Sequence, residues 1–350
     1  MTNPALQRVA TPRNRTWPAQ NAAFSADTLR LDAAAETQRI AEAIRGQVLR
    51  NLRRRGAIVG LSGGIDSSVT AALCVEALGA EKVLAVFMPE RDSESDSLRL
   101  GHMVASNLGI PTITEDIEPV LTAASCYERR DEFIRKVVPQ FGADWKCKVV
   151  ITNALSGAGY NLTSLVVESP EGRSQKVRLP IDIYLGIVAA TNMKQRARKQ
   201  IEYYHADRLN YAVSGTPNRL EYDQGFFVKN GDGAADFKPI AHLYKTQVYQ
   251  LAEHLGIPEE IRRRPPTTDT WSLAQTQEEF YFSVPYHQMD LCLYALNNGI
   301  PIAATANAAG LTPDQVERVF KDIEAKRRAT RYLHEAPMLV EPVVSGGDTN

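Results

Sequence analysis

Short apolar runs alternate with helical patterns along the first two thirds of the chain. The runs have the length and composition of buried strands, and they cover Ala57–Leu61, Lys82–Met88, Thr112–Ile117 and Leu209–Ser214. The patterns between them predict helices over Ser67–Leu78 and Ser97–Leu108, each followed by a glycine. This alternation predicts an α/β fold, a doubly wound parallel sheet with flanking helices. Ligands of such a fold bind at the carboxyl ends of the strands.

The two ends of the chain follow other patterns. Residues 1–26 are rich in Pro, Asn, Ala and Thr without a period, which predicts a flexible arm. Apolar residues recur at every fourth position between Asp27 and Arg55, which predicts a helix. The last third predicts further helices over Asp290–Leu296, over Ile302–Ala309 and after the capping box at Thr312. We expect one domain over residues 27–335 and a tail over residues 336–350.

The segment from Cys126 to Asp182 interrupts the alternation. Its pattern predicts a helix over Tyr127–Val138 and strands over Lys148–Thr152, Leu162–Glu168 and Gln175–Leu179. We therefore expect an insertion over residues 126–182 that consists of a helix and a β-hairpin. Its role is left open by the sequence, which agrees with a lid, with part of a dimer interface and with a docking surface.

Composition narrows the class of function. The 350 residues are 44% apolar and 23% charged, as in a globular protein with a core. A net charge of −1 argues against a general nucleic-acid or membrane-surface binder. The four cysteines form no C-x-x-C pair, so neither a zinc site nor a disulfide framework is indicated. Membrane-spanning runs and a signal-peptide core are absent from the sequence. We expect a cytoplasmic protein.

A loop with two glycines and three serines follows the first predicted strand. It reads Ser62-Gly63-Gly64-Ile65-Asp66-Ser67-Ser68 and opens the next helix. Its glycines permit close approach to a ligand, and N–H groups at a helix start attract an anion. Its hydroxyls can donate hydrogen bonds, and its carboxylate can hold a hard cation beside phosphates. The loop is neither a Walker A loop nor a G-x-G-x-x-G motif. A plain capped turn is the alternative for a lone Gly-Gly pair.

The full S-G-G-x-D-S string resembles the PP-loop of ATP pyrophosphatases, which split ATP into AMP and pyrophosphate to activate a substrate. Two later strings, Ser214–Glu221 and Gly225–Asp236, extend the likeness. Together the three strings resemble ammonia-consuming NAD synthetases, which convert the nicotinate carboxylate of deamido-NAD into the amide. The resemblance covers residues 30–125 and 183–335, and it implies the adenine nucleotide alpha hydrolase-like fold.

The resemblance also implies roles for single residues. The predicted ATP-binding set is Ser62, Gly63, Gly64, Ile65, Asp66, Ser67, Ser68, Thr216, Lys245 and Thr267. Asp66 and Lys245 are the predicted catalytic residues, and Asp66 and Glu221 are the predicted Mg²⁺ ligands. The predicted deamido-NAD contacts are Arg196, Lys229, Asp236 and, by a looser match, Lys326. Some members of the family carry an Asp next to the residue that matches Thr216, and this chain has Pro217 there. For Trp271, stacking on a base and simple packing are both open.

The chemistry that the resemblance implies needs these residue types. A carboxylate is a poor electrophile, so ATP first converts it into an acyl-adenylate and pyrophosphate leaves. Oriented N–H groups, a lysine and Mg²⁺ neutralise the charge of that step. Ammonia then attacks the acyl carbon and AMP leaves. The chain has no room for the glutaminase domain of longer relatives, so ammonia comes free or from a separate glutaminase. The likeness also implies a homodimer.

Three alternatives accompany this interpretation. An ATP-pyrophosphatase amide ligase for a different carboxylate would use the same loop. A relative that thiolates tRNA is disfavoured because paired cysteines and a basic surface are missing. A nucleotide sensor without catalysis predicts the loss of Asp66, Glu221 or Lys245, and all three are present.

Overall fold

The computed structural model describes residues 24–142, 144–151, 163–267, 270–282, 284–341 and 343. The predicted flexible arm lies outside the described residues except for its last three positions. Of the predicted tail, residues 336–341 and 343 are described. Thr152 and Leu162, at the ends of two predicted strands, also lie outside the described residues.

The elements follow one another in an α/β order that the insertion interrupts. The strands are β1 (Ala57–Gly60), β2 (Val83–Phe87), β3 (Thr112–Thr114), β4 (Lys146–Ile151), β5 (Thr163–Glu168), β6 (Ser174–Arg178) and β7 (Ala212–Val213). The helices are α1 (Ala33–Arg45), α2 (Ile65–Leu78), α3 (Ser95–Leu108), α4 (Glu118–Ala123), α5 (Cys126–Arg135), α6 (Ile181–Leu209), α7 (Arg219–Gln224), α8 (Lys245–His254), α9 (Glu259–Arg263), α10 (Tyr286–Asn298), α11 (Ile302–Ala309) and α12 (Pro313–Thr330).

A parallel sheet with the strand order β3-β2-β1-β7 forms the centre of the fold. Helices α1, α2, α3 and α8 contribute to the core on one face, and α6 packs on the other. Because both faces are covered, Ile58 and Val59 are fully buried although they point to opposite sides. The predicted α/β fold with flanking helices is confirmed. β1 lies inside the sheet, so its carboxyl end opens between neighbouring strands.

Several predicted boundaries were wrong. The strand predicted over Thr112–Ile117 ends as β3 at Thr114, and the helix predicted over Tyr127–Val138 ends as α5 at Arg135. The predicted strand Leu209–Ser214 shortens to β7, because α6 continues as a helix to Leu209 and ends at Asn210 in a left-handed conformation. The predicted helix between Asp27 and Arg55 consists of α1 and a π-helical turn over Gly46–Asn51. Asp32 begins α1 by accepting a hydrogen bond from the Ala35 N–H group, which places the helix start inside the predicted range.

The insertion forms α5 and a three-stranded antiparallel sheet in the order β4-β5-β6. The predicted hairpin is present as β5 and β6, and the strand predicted from Lys148 joins it as β4. The sheet has its own core, in which Cys147, Val149 and Leu165 pack with Ile187 of α6. The insertion therefore packs directly on the longest helix of the domain.

The last third of the chain packs as a helical unit of α10, α11 and α12 around Met289, Leu293 and Val319. The capping box predicted at Thr312 is confirmed, since its hydroxyl accepts a hydrogen bond from the Gln315 N–H group at 3.3 Å. Within the described ranges, no helix combines the length and the apolar composition that a bilayer span requires.

Candidate active site

The loop between β1 and α2 is a tight turn that only glycine fits at one position. Gly63 has φ +75, and a Cβ there would lie 2.6 Å from the Ser97 carbonyl oxygen. The hydroxyls of Ser67 and Ser68 donate to the Gly64 carbonyl oxygen at 3.0 and 2.8 Å. Because an α-helix leaves its first N–H groups without helical partners, the start of α2 presents donors beside the loop.

A cavity of about 650 Å³ lies over this loop at the carboxyl ends of the strands. The predicted site residues that line it are Ser62, Gly63, Gly64, Ile65, Asp66, Ser67, Arg196, Thr216, Glu221, Lys229, Thr267 and Lys326. A second cavity of about 230 Å³ adjoins it and shares Ser62, Ser67, Thr216 and Thr267. The structure thus brings together motifs that are up to 264 positions apart (326 − 62) in the sequence.

Lys245 meets Asp66 beneath the cavity. The lysine is 1% exposed at the start of α8, and its Nζ forms an ion pair with Asp66 Oδ2. Burial alone would lower the pKa of Lys245, but the carboxylates of Asp66 and Glu221 outweigh it and raise that pKa. The lysine therefore stays charged. Asp290 of α10 accepts hydrogen bonds from the N–H groups of Lys245 and Thr246, at 3.1 and 2.7 Å, and so caps α8 from a distant helix.

Glu221 is the second carboxylate of this cluster. Burial, and then the negative charge of Asp66, raise the pKa of Glu221 to about 8. Its Oε2 accepts the Asn218 N–H group at 3.1 Å, and its Oε1 accepts the Gln277 side-chain amide at 2.9 Å. Asn218 also donates its side-chain amide to Asp66 Oδ1 at 3.0 Å. Asn218 therefore bridges the two carboxylates.

The donor chemistry of this pair fits a magnesium ion. Mg²⁺ takes oxygen ligands, and in nucleotide sites it binds through one or two carboxylates and the phosphates. Asp66 lies close enough to Glu221 for its negative charge to raise the pKa of Glu221. A cation bound between the two carboxylates would reverse that shift. No group of three His, Cys, Asp or Glu side chains suited to a metal occurs in the described part of the chain. Asp66 and Glu221 are the two carboxylates that would hold a cation here.

Besides Arg264, three cationic side chains outside the loop line the same cavity. Arg196 donates to the Lys229 carbonyl oxygen at 3.2 Å, and Lys229 donates to the carbonyl oxygens of Tyr332 and Glu335 at 2.8 and 3.0 Å. Lys326 donates to the Tyr281 carbonyl oxygen at 2.6 Å. Burial lowers the pKa of Lys326, although its neighbouring carboxylate opposes that shift. This side of the cavity suits a second anionic group.

The family model for NAD synthase matches residues 36–139 and 177–331, which is more than half of the chain. The chain belongs to the NAD synthase family. It is 65% identical over 323 residues to the NH(3)-dependent NAD(+) synthetase of Rhizobium rhizogenes, covering 92% of this chain and 97% of that protein. It is 67% identical over 320 residues to the enzyme of the same name from Rhizobium meliloti, covering 91% of this chain and 96% of that protein.

Solved structures of NAD synthetases share the fold. The NAD+ synthetase of Burkholderia pseudomallei is 25% identical with a TM-score of 0.53, covering 87% of this chain and 94% of that one. The NH3-dependent enzyme of Campylobacter jejuni is 21% identical with a TM-score of 0.57, covering 89% of this chain and 100% of that one. The family model and the two Rhizobium relatives confirm the family predicted from the three strings. Residues 140–176, which the family model leaves unmatched, lie inside the predicted insertion.

Three predicted site residues are not among the residues that line the main cavity. Lys245 lies beneath it, as described, and Ser68 is fully buried and braces the loop from inside. Asp236 is exposed beside β7, where it accepts hydrogen bonds from the Val213 N–H group at 2.7 Å and the Tyr203 hydroxyl at 3.2 Å. The structure does not bring Asp236 into the cavity with the other residues, and its contact with the NAD synthase substrate stays a prediction.

Sequence reasoning missed part of the site. Asn218 stood inside a recognised string, but its bridge between two carboxylates had no separate signal. Asp290 had none, because a single acidic residue in an apolar helix pattern does not reveal which distant helix it caps. The insertion also contributes Val149 and Ile151 to the cavity lining. Trp271 is 4% exposed, packs in the core of the insertion and also lines the cavity, so the structure agrees with packing and leaves stacking on a base a prediction.

Proposed function

We propose that this protein is an ammonia-dependent NAD synthetase, a ligase that forms the amide of NAD from deamido-NAD, ATP and ammonia. The observation that carries the proposal is the cluster at the PP-loop, in which Asp66 and Glu221 line a cavity that also contains cationic side chains and Lys245 pairs with Asp66 from beneath it. Two relatives named NH(3)-dependent NAD(+) synthetase, at 65% and 67% identity over almost their whole lengths, support the choice of reaction.

The residues of the loop bind and orient ATP in this proposal. N–H groups at the start of α2 hold the phosphates, and the charge of Lys245 offsets the negative charge that develops on pyrophosphate. Asp66 orients Lys245 by their ion pair, and Asp290 fixes the backbone at the start of α8. Asp66 and Glu221 would hold Mg²⁺, which supplies positive charge beside the phosphate oxygens.

Two bond exchanges complete the reaction. A nicotinate carboxylate oxygen attacks the α-phosphorus of ATP, and the bond to pyrophosphate breaks. Ammonia then attacks the acyl carbon and loses a proton, and AMP leaves with the bonding electrons. Arg196, Lys229 and Lys326 bind the anionic groups of deamido-NAD, which holds the carboxylate in place. We retain Asp236 as a substrate contact outside the cavity.

The proposal includes a homodimer in the cytoplasm. Near the start of α6, Ile181 and Leu185 are 69% and 57% exposed, which suits a subunit interface. All four cysteines are buried free thiols, as is usual in a reducing compartment. Sedimentation velocity tests the dimer, and replacement of both apolar side chains by serine should then yield a monomer.

Turnover of defined substrates tests the reaction. Purified protein with ATP, Mg²⁺, deamido-NAD and ammonium should release NAD, AMP and pyrophosphate in equal amounts. Folded Asp66→Asn protein is the control and should lose turnover. Release of ADP and phosphate, or absence of NAD from folded protein, would overturn the proposal. Pyrophosphate release with another carboxylate, but not with deamido-NAD, would favour the alternative amide ligase. Glutamine in place of ammonium should support turnover only when a separate glutaminase is added.

A further inference from the structure

One wall of the main cavity is the segment of residues 270–282, here called the wall segment. Its residues Trp271, Gln277, Phe280 and Tyr281 line the cavity. Gln277 also donates its side-chain amide to Glu221 Oε1 at 2.9 Å. The position of the wall segment therefore decides both the shape of the cavity and the orientation of one carboxylate of the ATP site.

Hydrogen bonds join the wall segment to the edge of β4, the first strand of the insertion. The Cys147 N–H group donates to the Ser272 hydroxyl at 2.9 Å, and the Leu273 N–H group donates to the Cys147 carbonyl oxygen at 3.2 Å. The Gln275 side-chain amide donates to the carbonyl oxygen of Val149. Cys147 and Val149 are two residues apart, so their backbone groups face the same edge of the strand. The wall segment thus covers the edge of β4 that β5 leaves free.

Side chains strengthen the same contact. Lys148 donates to the Ala274 carbonyl oxygen and pairs with Glu279, both at 3.0 Å. Trp271 packs in the core of the insertion with Leu165 and Val167 of β5. The wall segment is therefore held to the insertion by backbone, polar and apolar contacts together.

A buried ion cluster fixes the first residue of the wall segment. Lys194 of α6 is 1% exposed and donates to the Thr270 carbonyl oxygen at 2.9 Å. The same Nζ pairs with Glu90 at 3.0 Å and Asp92 at 2.6 Å, and Arg130 of the insertion helix pairs with Asp92 at 2.6 Å. Through this cluster the insertion helix, α6 and the loop after β2 meet at the start of the wall segment.

The geometry points to the insertion as the element that positions the wall segment, with Ser272 and Gln275 as positioning residues. β4 lies in the region that the NAD synthase family model leaves unmatched, so the device is additional to the matched core. When the wall is held in place before substrates arrive, no fraction of the protein has to rearrange before binding. Loosening the wall lowers the competent fraction, and the apparent affinity falls by that fraction.

A double variant with a matched control tests this inference. Ser272→Ala with Gln275→Met removes two hydrogen bonds at the β4 edge and retains the side-chain volume. The control is Ser174→Ala with Gln175→Met, the same two changes on exposed positions of β6 at the opposite edge of that sheet. Ser272→Thr keeps a hydroxyl at the contact and should behave as the unchanged protein.

Hydrogen exchange of the ligand-free protein is the first measurement. The amides of the wall segment should exchange about tenfold faster in the double variant, with those of β1 and β2 unchanged, since two hydrogen bonds of ordinary strength are lost. The control should exchange like the unchanged protein. Equal exchange of the wall segment in all three proteins would overturn the inference.

Steady-state kinetics are the second measurement, and they rest on the proposed function. KM for ATP and for deamido-NAD should rise about fivefold or more at a kcat within about twofold, because substrate binding restores the wall. A fall in kcat at constant KM would also overturn the inference. If the unchanged protein makes no NAD, the proposed function fails, and the exchange measurement still decides the inference.

Discussion

Gly63 and Gly64 are adjacent, but a methyl group should affect them in different ways. At Gly63, φ is +75, and a Cβ would lie 2.6 Å from the Ser97 carbonyl oxygen and 2.8 Å from the Leu100 side chain. Left-handed backbone costs an alanine about 1–2 kcal/mol, and overpacking costs about 1–3 kcal/mol. We expect Gly63→Ala to lower the free energy of unfolding by about 2–5 kcal/mol.

Gly64 has φ −82, which an alanine adopts without strain. The atom nearest to a Cβ added there would be the Ser62 hydroxyl oxygen at 3.4 Å, which is an ordinary contact distance. Gly64→Ala should therefore cost less than about 1 kcal/mol, the usual loss at a helix N-cap. Its methyl group enters the space that the phosphates need, so KM for ATP should rise roughly tenfold.

Thermal unfolding and pyrophosphate release separate the two effects. Gly63→Ala should unfold at least about 5 °C lower, because 1 kcal/mol shifts the Tm of a large domain by about 2–4 °C. Gly64→Ala should unfold less than about 4 °C below the unchanged protein but bind ATP weakly. If Gly64→Ala used ATP normally, the loop would not approach the phosphates. A Gly63→Ala protein with unchanged Tm would refute the reasoning about crowding.

Three further predictions concern charge and thiols. Lys245→Met should lower kcat about 100-fold in folded protein, because the charge opposite pyrophosphate is lost; unchanged turnover would remove Lys245 from catalysis. Hydrogen bonds from Arg39, which outweigh burial, lower the pKa of Glu36 to about 2 from 4.5. The stability from this carboxylate is thus complete above pH 4.5 and lost between about pH 4.5 and 2. Solvent screening limits it to about 1 kcal/mol, so Glu36→Gln should lower the Tm clearly at pH 7 and only slightly at pH 2.5, where most of this stability is already lost. Burial raises the pKa of Cys74 and Cys292 to about 12, so native protein should resist thiol reagents at pH 8 and react at all four cysteines after unfolding.

The central sheet and the PP-loop were predictable because their signals are local. Buried parallel strands give continuous apolar runs, as at β1 and β2, and the two glycines and three serines of the loop stand together in the sequence. The strand predicted from Leu209 was wrong because a local signal does not show where a long helix ends. Leu209 belongs to the end of α6, and an apolar residue at a helix end looks like the start of a strand when only a short window is considered.

Contacts between residues far apart in the sequence were harder to predict. The ion pair of Asp66 with Lys245 joins residues 179 positions apart, and only the family likeness indicated both. The contact of Gln277 with Glu221 had no such support, because a lone glutamine in a loop carries no pattern. Lys194 stands inside a recognised string, but nothing in the sequence indicated its partners, which come from two other parts of the fold, the loop after β2 and the wall segment.

The cap that Asp290 places on α8 has a consequence for the order in which the protein is made. The PP-loop emerges from the ribosome early, but Lys245 follows 179 residues after Asp66. Asp290, which caps the helix that begins at Lys245, follows another 45 residues later. N-terminal parts of a chain begin to fold while the rest is still being synthesised. A nascent chain therefore carries the PP-loop for most of translation before Lys245 is fixed in place. Under the proposed function, ATP cleavage then begins only after the C-terminal helices have formed.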